Sequence, residues 1–184
     1  MEATNILMEE HRLIELMLTA LETQAGRLKS GAAVRTGFFL EAVDFIRNFA
    51  DGCHHRKEEG ALFPALAAAG LSKDSGPVAV MLTEHEQGRG FNRGMEQAAR
   101  SMEAGNAGGR ADLVRNALGY VALLRQHIQK EDSVLFPMAD RLIPAGAREK
   151  LSVEFERIER EETGAGVHEK YHTLAEAMVK EAGV

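Results

Sequence analysis

Apolar positions recur every three or four residues along almost the whole chain, the spacing of helices that bury one face. Leu7, Ile14, Leu18 and Leu21 mark a first helix that closes near Lys29-Ser30-Gly31. A second runs from about residue 34 to 63, with Phe39, Val43, Ile46 and Ala50 on one stripe, and Pro64 is expected to break or kink it. A third is predicted to start at Pro77 and fade before Gly105-Asn106-Ala107-Gly108-Gly109, and a fourth to cover 111–136. Two shorter helices, 145–162 and 167–181, lie on either side of Gly164 and Gly166. The pattern predicts an all-α, up-and-down four-helix bundle over 1–140, with 141–184 a C-terminal helical extension packed on the same domain.

The chain also repeats itself. Glu10-His11 answers Glu84-His85, and Leu62-Phe63-Pro64 answers Leu135-Phe136-Pro137. The register of the second match, 73 residues, places His54 on His127 and Glu58 on Glu131, while the first match is offset by 74. Two similar helical hairpins are the unit.

Within each hairpin the two histidines stand 43 or 42 residues apart. At ~1.5 Å per residue, roughly twenty residues out and twenty back return the chain to its starting height, so His11, His54, His85 and His127 are predicted to share one layer. They lie on or beside apolar stripes. His11 sits among Leu7, Ile14 and Leu18, and His85 beside Val78, Met81 and Leu82. His127 and Glu131 are in register with Leu113, Ala117, Tyr120, Leu124 and Leu135. Buried imidazoles and carboxylates are costly unless paired or bound to metal, and their recurrence at matched positions points to metal. Residues four apart share a helix face, so His54/Glu58 and His127/Glu131 each address one site. A carboxylate can bridge two cations, and neutral imidazole suits iron, manganese or zinc. The predicted ligands are His11, His54, Glu58, His85, His127 and Glu131, holding two ions. Iron leads, with manganese and zinc open, and the unfilled coordination positions are where a small molecule would bind.

Composition adds exclusions. Hydrophobic residues make up 45% and charged residues 27%, an ordinary globular balance. The formal net charge is −6 without a Lys/Arg-rich block, which argues against nucleic acid as a partner. The lone cysteine, Cys53, excludes an intramolecular disulfide and a thiol-only metal cage. No stretch reaches the ~20 apolar residues of a membrane span, and the first residues show no basic segment followed by an apolar one. The expectation is a cytoplasmic protein; nothing identifies a protein partner.

The order of the ligands separates helical two-metal families. Ferritin-like proteins place Glu three residues before His, an order that none of the four predicted ligand histidines has. His-x-x-x-Glu occurs twice instead, at His54/Glu58 and His127/Glu131. With His11 and His85 this pattern resembles the hemerythrin-like HHE cation-binding family over nearly the first 140 residues. The resemblance implies a bundle around a non-haem di-iron centre that binds or senses oxygen, nitric oxide or hydrogen peroxide. It also leaves open a di-iron enzyme reducing peroxide or nitric oxide, and an iron store or donor. Oxygen carriers place a second histidine four residues after the one on the third helix, where this chain has Arg89. The set looks closer to members linked to nitric-oxide stress and iron–sulfur cluster repair, although the added cysteine-containing segment usual in those is missing.

Several neighbours carry two readings each. His55/Glu59 repeats the spacing of His54/Glu58 but lies about 100° further round an α-helix, which predicts a solvent-facing or outer pair. Asp132 rivals Glu131, and both the repeat and the stripe favour Glu131. Glu10 and Glu84 either orient ligands or are ordinary charged flanks. Tyr120 is a candidate hydrogen-bond donor to a bound oxygen species, or a packed core tyrosine. Gly88 either opens a ligand channel beside His85 or lets helices pack closely. His168 is a candidate further ligand or channel residue; His172 is expected at the surface and Cys53 as a small packed residue.

Overall fold

A computed structural model describes residues 3–106, 108–164 and 166–184. Six helices follow one another, and no strand occurs among the described residues. They are α1 (Ala3–Lys29), α2 (36–68), α3 (Gly76–Glu103), α4 (109–142), α5 (145–163) and α6 (Val167–Ala182). On α1 the residues Leu7, His11, Ile14, Leu18, Leu21, Ala25 and Leu28 are all at most 1% exposed. Their alternating steps of four and three make a seam suited to neighbours packed nearly antiparallel, as in four-helix bundles. Gly31 and Gly105 end α1 and α3 in left-handed backbone, φ 90° and 83°, which glycine adopts without steric cost.

Pro64 does not end the second helix, which continues to Ala68. The turn just before it, Glu58–Leu62, is a wide π-type turn, and Glu131–Leu135 repeats it just before Pro137. Widening the turn there opens the place where a proline ring would otherwise meet the carbonyl four residues earlier. Both helices therefore pass through their prolines, and α4 runs on to Leu142.

The core is divided by height. One apolar cluster holds the far halves of the four long helices, among them Leu18, Phe39, Phe49, Met95 and Ala117. The other holds the near ends, with Leu7, Leu62, Phe63, Val78, Leu135 and Phe136. His11, His54, Glu58, His85, His127 and Glu131 lie between the two, at most 1% exposed. The last two helices join these clusters. Leu151, Phe155 and Ile158 of α5 pack into the near one, and Tyr171, Ala175 and Met178 of α6 into the far one. No helix among the described residues is long and apolar enough to cross a membrane.

Candidate metal centre

Each long helix delivers its polar residues to one layer because the apolar clusters above and below fix its height and rotation. Glu131 Oε2 lies 3.2 Å from both His11 Nε2 and His127 Nε2. Glu58 reaches the other two histidines, Oε1 at 3.7 Å from His54 Nε2 and Oε2 at 3.4 Å from His85 Nε2. His85 Nε2 and His127 Nε2 are 3.2 Å apart. Two groups emerge: His11, His54, Glu58 and Glu131; and His55, Glu58, His85 and His127. In each, one donor atom per residue lies within 4.8 Å of the others, and Glu58 belongs to both.

The donor atoms are also unsatisfied. Both oxygens of Glu58, both of Glu131, and the Nε2 atoms of His11 and His54 are buried without a hydrogen-bond partner. An orphaned buried polar atom costs about 1–3 kcal/mol, and more if charged. Six such atoms on four residues of one layer form an arrangement that a cation satisfies and a hydrophobic core does not. The residues fit a metal site.

Behind each imidazole stands a carboxylate. Nδ1 of His11 lies 2.7 Å from Asp132, that of His54 3.0 Å from Glu10, that of His85 2.7 Å from Glu59, and that of His127 3.0 Å from Glu84. A carboxylate only accepts, so Nδ1–H donates and Nε2 is left facing the centre as the atom that would bind a metal once free of its proton. The arrangement follows the sequence repeat. Glu10 is held by Lys57 and Glu84 by Lys130; Phe63 stacks on His85 and Phe136 on His11. Asp132 thus serves His11 from behind and Glu131 faces inward. The orienting role is the one that Glu10 and Glu84 occupy. Lys57, fully buried between Glu10 and Glu159 (2.9 Å), was not singled out from the sequence.

Of the two readings of His55, the solvent-facing one is wrong. His55 is 5% exposed, stacks on His85 with centroids 3.8 Å apart, and belongs to the second donor group. Residues Ile46–His55 form a π-type helix, whose wider turn places less rotation between successive residues than the α-helix assumed. His54 and His55 therefore both face the interior. Gly52 was the available signal: a Cβ there would stand 3.0 Å from the Arg47 carbonyl oxygen, the one five residues back. Glu59 does occupy an outer place, bonded to His85 and to Arg89. Arg89 binds Asp51 (2.8 Å) as well as Glu59, and Asp51 in turn lies 3.4 Å from His55 Nδ1. Where the carrier pattern has a second histidine on the third helix, this chain has an arginine bound to three carboxylates, Asp51, Glu59 and Glu86, and His55 of α2 lies in the second donor group.

Electrostatics match the geometry. Burial opposes protonation of His11, but the neighbouring carboxylates of Asp132 and Glu131 outweigh that and raise its pKa to about 9. His127 rises to about 10, burial again being overcome by Glu131 and Glu84. Glu131 is held well below the usual carboxylate range, its burial outweighed by His127 and His11. His55 is driven well below 6.5, by burial and then by the charge of His85. In the metal-free chain, protons on His11 and His127 offset the central carboxylates, the charge that a cation would replace.

The other candidates separate cleanly. Gly88 and Tyr120 line a cleft that reaches His55 and His85. His168 packs its ring against Phe49 and lies outside both donor groups, and His172 is exposed beside Glu176. Cys53 is buried, its thiol pushed up to about 11 by burial and by Glu10, which makes it a packed rather than a reactive residue.

Two mycobacterial proteins, one from Mycobacterium bovis and one from Mycobacterium tuberculosis, both named only as uncharacterized, are 26% identical over 158 residues. The match covers 86% of this chain and 61% of theirs, so the chain spans about three fifths of the length of these relatives. No solved structure matches. The profile of the hemerythrin HHE cation binding domain matches residues 2–139, the stretch that carries every member of the two donor groups. The chain belongs to the hemerythrin HHE cation-binding family.

Proposed function

We propose that the chain holds two non-haem iron ions and uses them to bind or sense a small ligand such as oxygen, nitric oxide or hydrogen peroxide. His11 and His54 would hold one ion and His55, His85 and His127 the other, with Glu58 and Glu131 as the carboxylate ligands. The observation that carries this reading is the set of six unsatisfied, fully buried donor atoms on the four residues of one donor group, which shares Glu58 with a second. The mixed imidazole–carboxylate donor set suits iron, with manganese and zinc as the alternatives to be distinguished. Iron bound there supplies one-electron redox chemistry and coordination positions open to a ligand. The chain's own part is to orient five imidazoles through Asp132, Glu10, Asp51, Glu59 and Glu84, and to exclude bulk water from the layer.

Burial of all the ligands favours retention of the metal over ready delivery to an acceptor. Metal analysis of the purified chain, with absorption spectra under aerobic and anaerobic conditions, tests the proposal. About two iron ions per chain with an oxo-bridged di-iron spectrum is the expected result. No approach to two metal ions per chain after reconstitution refutes it. Nitric oxide or peroxide binding without consumption supports binding or sensing; steady consumption makes the chain an enzyme.

A further inference from the structure

Each imidazole of the two donor groups is backed by a carboxylate, and each of those carboxylates is backed in turn by a cation. Asp132 behind His11 pairs with Arg12, Glu10 behind His54 with Lys57, and Glu84 behind His127 with Lys130. Each of these three relays has a cation of its own. The other two share one, since Glu59 behind His85 and Asp51 behind His55 both end on Arg89.

The atoms involved make this a bridge. Arg89 Nη2 lies 2.7 Å from Asp51 Oδ1 and 2.8 Å from Glu59 Oε1. Those are the same two oxygens that face the imidazoles, Oδ1 at 3.4 Å from His55 Nδ1 and Oε1 at 2.7 Å from His85 Nδ1. The two rings are themselves stacked, with 3.8 Å between centroids and 15° between planes. One guanidinium nitrogen on α3 thus fixes both rings of the stack, through one oxygen each. Arg89 Nε also donates to Asp51 at 2.8 Å, while Nη1 turns to Glu86 one turn back on the same helix. A planar fork holds such donors in fixed directions, which a flexible ammonium does not. Without the cation the two carboxylates would repel each other, and each orients an imidazole. Building on the two-metal reading above, we propose that Arg89 is a positioning residue for the second metal position, holding His55 and His85 together through Asp51 and Glu59. At the first position His11 and His54 rest on separate cations, so the second ion alone depends on a single side chain outside the donor groups.

The test titrates the full chain with zinc against a competing chelator, which reads the affinities of the two ions without redox chemistry. Losing an outer partner of a metal-bound histidine weakens binding about 10–100-fold. Arg89→Gln acts one hydrogen bond further out but on two histidines, and is expected to weaken one ion roughly tenfold while sparing the other. In a His55→Ala chain, which keeps the first donor group whole, it is expected to leave the remaining ion unchanged. In an Asp51→Asn/Glu59→Gln chain it is expected to add nothing, because its route to the histidines is already gone. Arg89 is 26% exposed, so its removal opens no cavity in the core. Arg89→Lys, which keeps a positive nitrogen without the fork, is expected to show a smaller loss, again from one ion, and carries the test if Arg89→Gln fails to fold. Losses spread equally over both ions, or a lowered urea midpoint with both affinities unchanged, would make Arg89 a merely structural residue and overturn the inference. So would weakening of the ion that remains in the His55→Ala chain, or a full tenfold loss in the Asp51→Asn/Glu59→Gln chain. A wild-type chain that takes up fewer than two ions of either zinc or iron refutes the two-metal reading itself, and metal content reports that separately.

Discussion

Replacing Glu10 and Glu84 with glutamine, one at a time, uses the repeat as its own control. Each carboxylate accepts from a histidine of the layer at 3.0 Å, Glu10 from His54 and Glu84 from His127, and pairs with a lysine, Glu10 with Lys57 and Glu84 with Lys130. The settings differ in burial. Lys57 is 0% and Glu10 3% exposed, whereas Lys130 is 39% and Glu84 14% exposed. Removing one partner of a buried pair costs about 3–5 kcal/mol because the other charge is left without compensation. Glu159 remains beside Lys57, which places Glu10→Gln near the lower end, about 3 kcal/mol. A pair as exposed as Lys130–Glu84 contributes about 0–1 kcal/mol. Both glutamines should nevertheless weaken metal binding similarly, by about 10–100-fold, since each stops orienting one imidazole through a charged acceptor. Urea denaturation of the metal-free variants reads the first quantity, and competition with a chelator reads the second. Equal stability losses would refute the burial argument. Unchanged metal affinity in both variants would refute the orienting role of the outer carboxylates.

Three further outcomes follow from particular contacts. His55→Ala should bring metal content from about two ions per chain toward one, because it strips the second donor group of an imidazole; two tightly held ions in the variant would return His55 to a packing role. Gly52→Ala, normally worth about 1 kcal/mol in favour of a helix, should destabilise the chain and displace His55, since its Cβ meets the Arg47 carbonyl at 3.0 Å; a raised melting temperature would contradict the π-type turn. Metal uptake at pH 7 should release protons, because His11 and His127 titrate at about 9 and 10 in the metal-free chain and ligate only when neutral. Raised folded-state values also mean that these two histidines stabilise the metal-free chain fully below an unfolded value near 6.5. That contribution is lost as pH rises through 9 and 10. A metal-free chain with unchanged stability from pH 7 to 10, and no proton release on loading, would show that the histidines are neutral beforehand.

What the sequence determined by itself rests on periodicity and spacing. The seam on α1 and the separation of 42 or 43 residues between paired histidines depend only on helical rise and a return connection, so the bundle and the common layer could be read directly. The repeat distinguished Glu131 from Asp132, because a hairpin built twice puts the same chemistry at the same height twice. Tertiary structure decided what local α-helical geometry misstates or does not contain. His55 turns inward only because the helix widens before it, and α2 and α4 pass through Pro64 and Pro137 because wide turns precede them. Glu59 holds His85, and Asp132 holds His11, across the two hairpins rather than within them, contacts that no regular spacing encodes. The cleft beside Tyr120 arises in the same way, from the packing of three helices. Periodicity fixes which residues share a face, while packing fixes which faces meet and where a helix departs from its ideal turn.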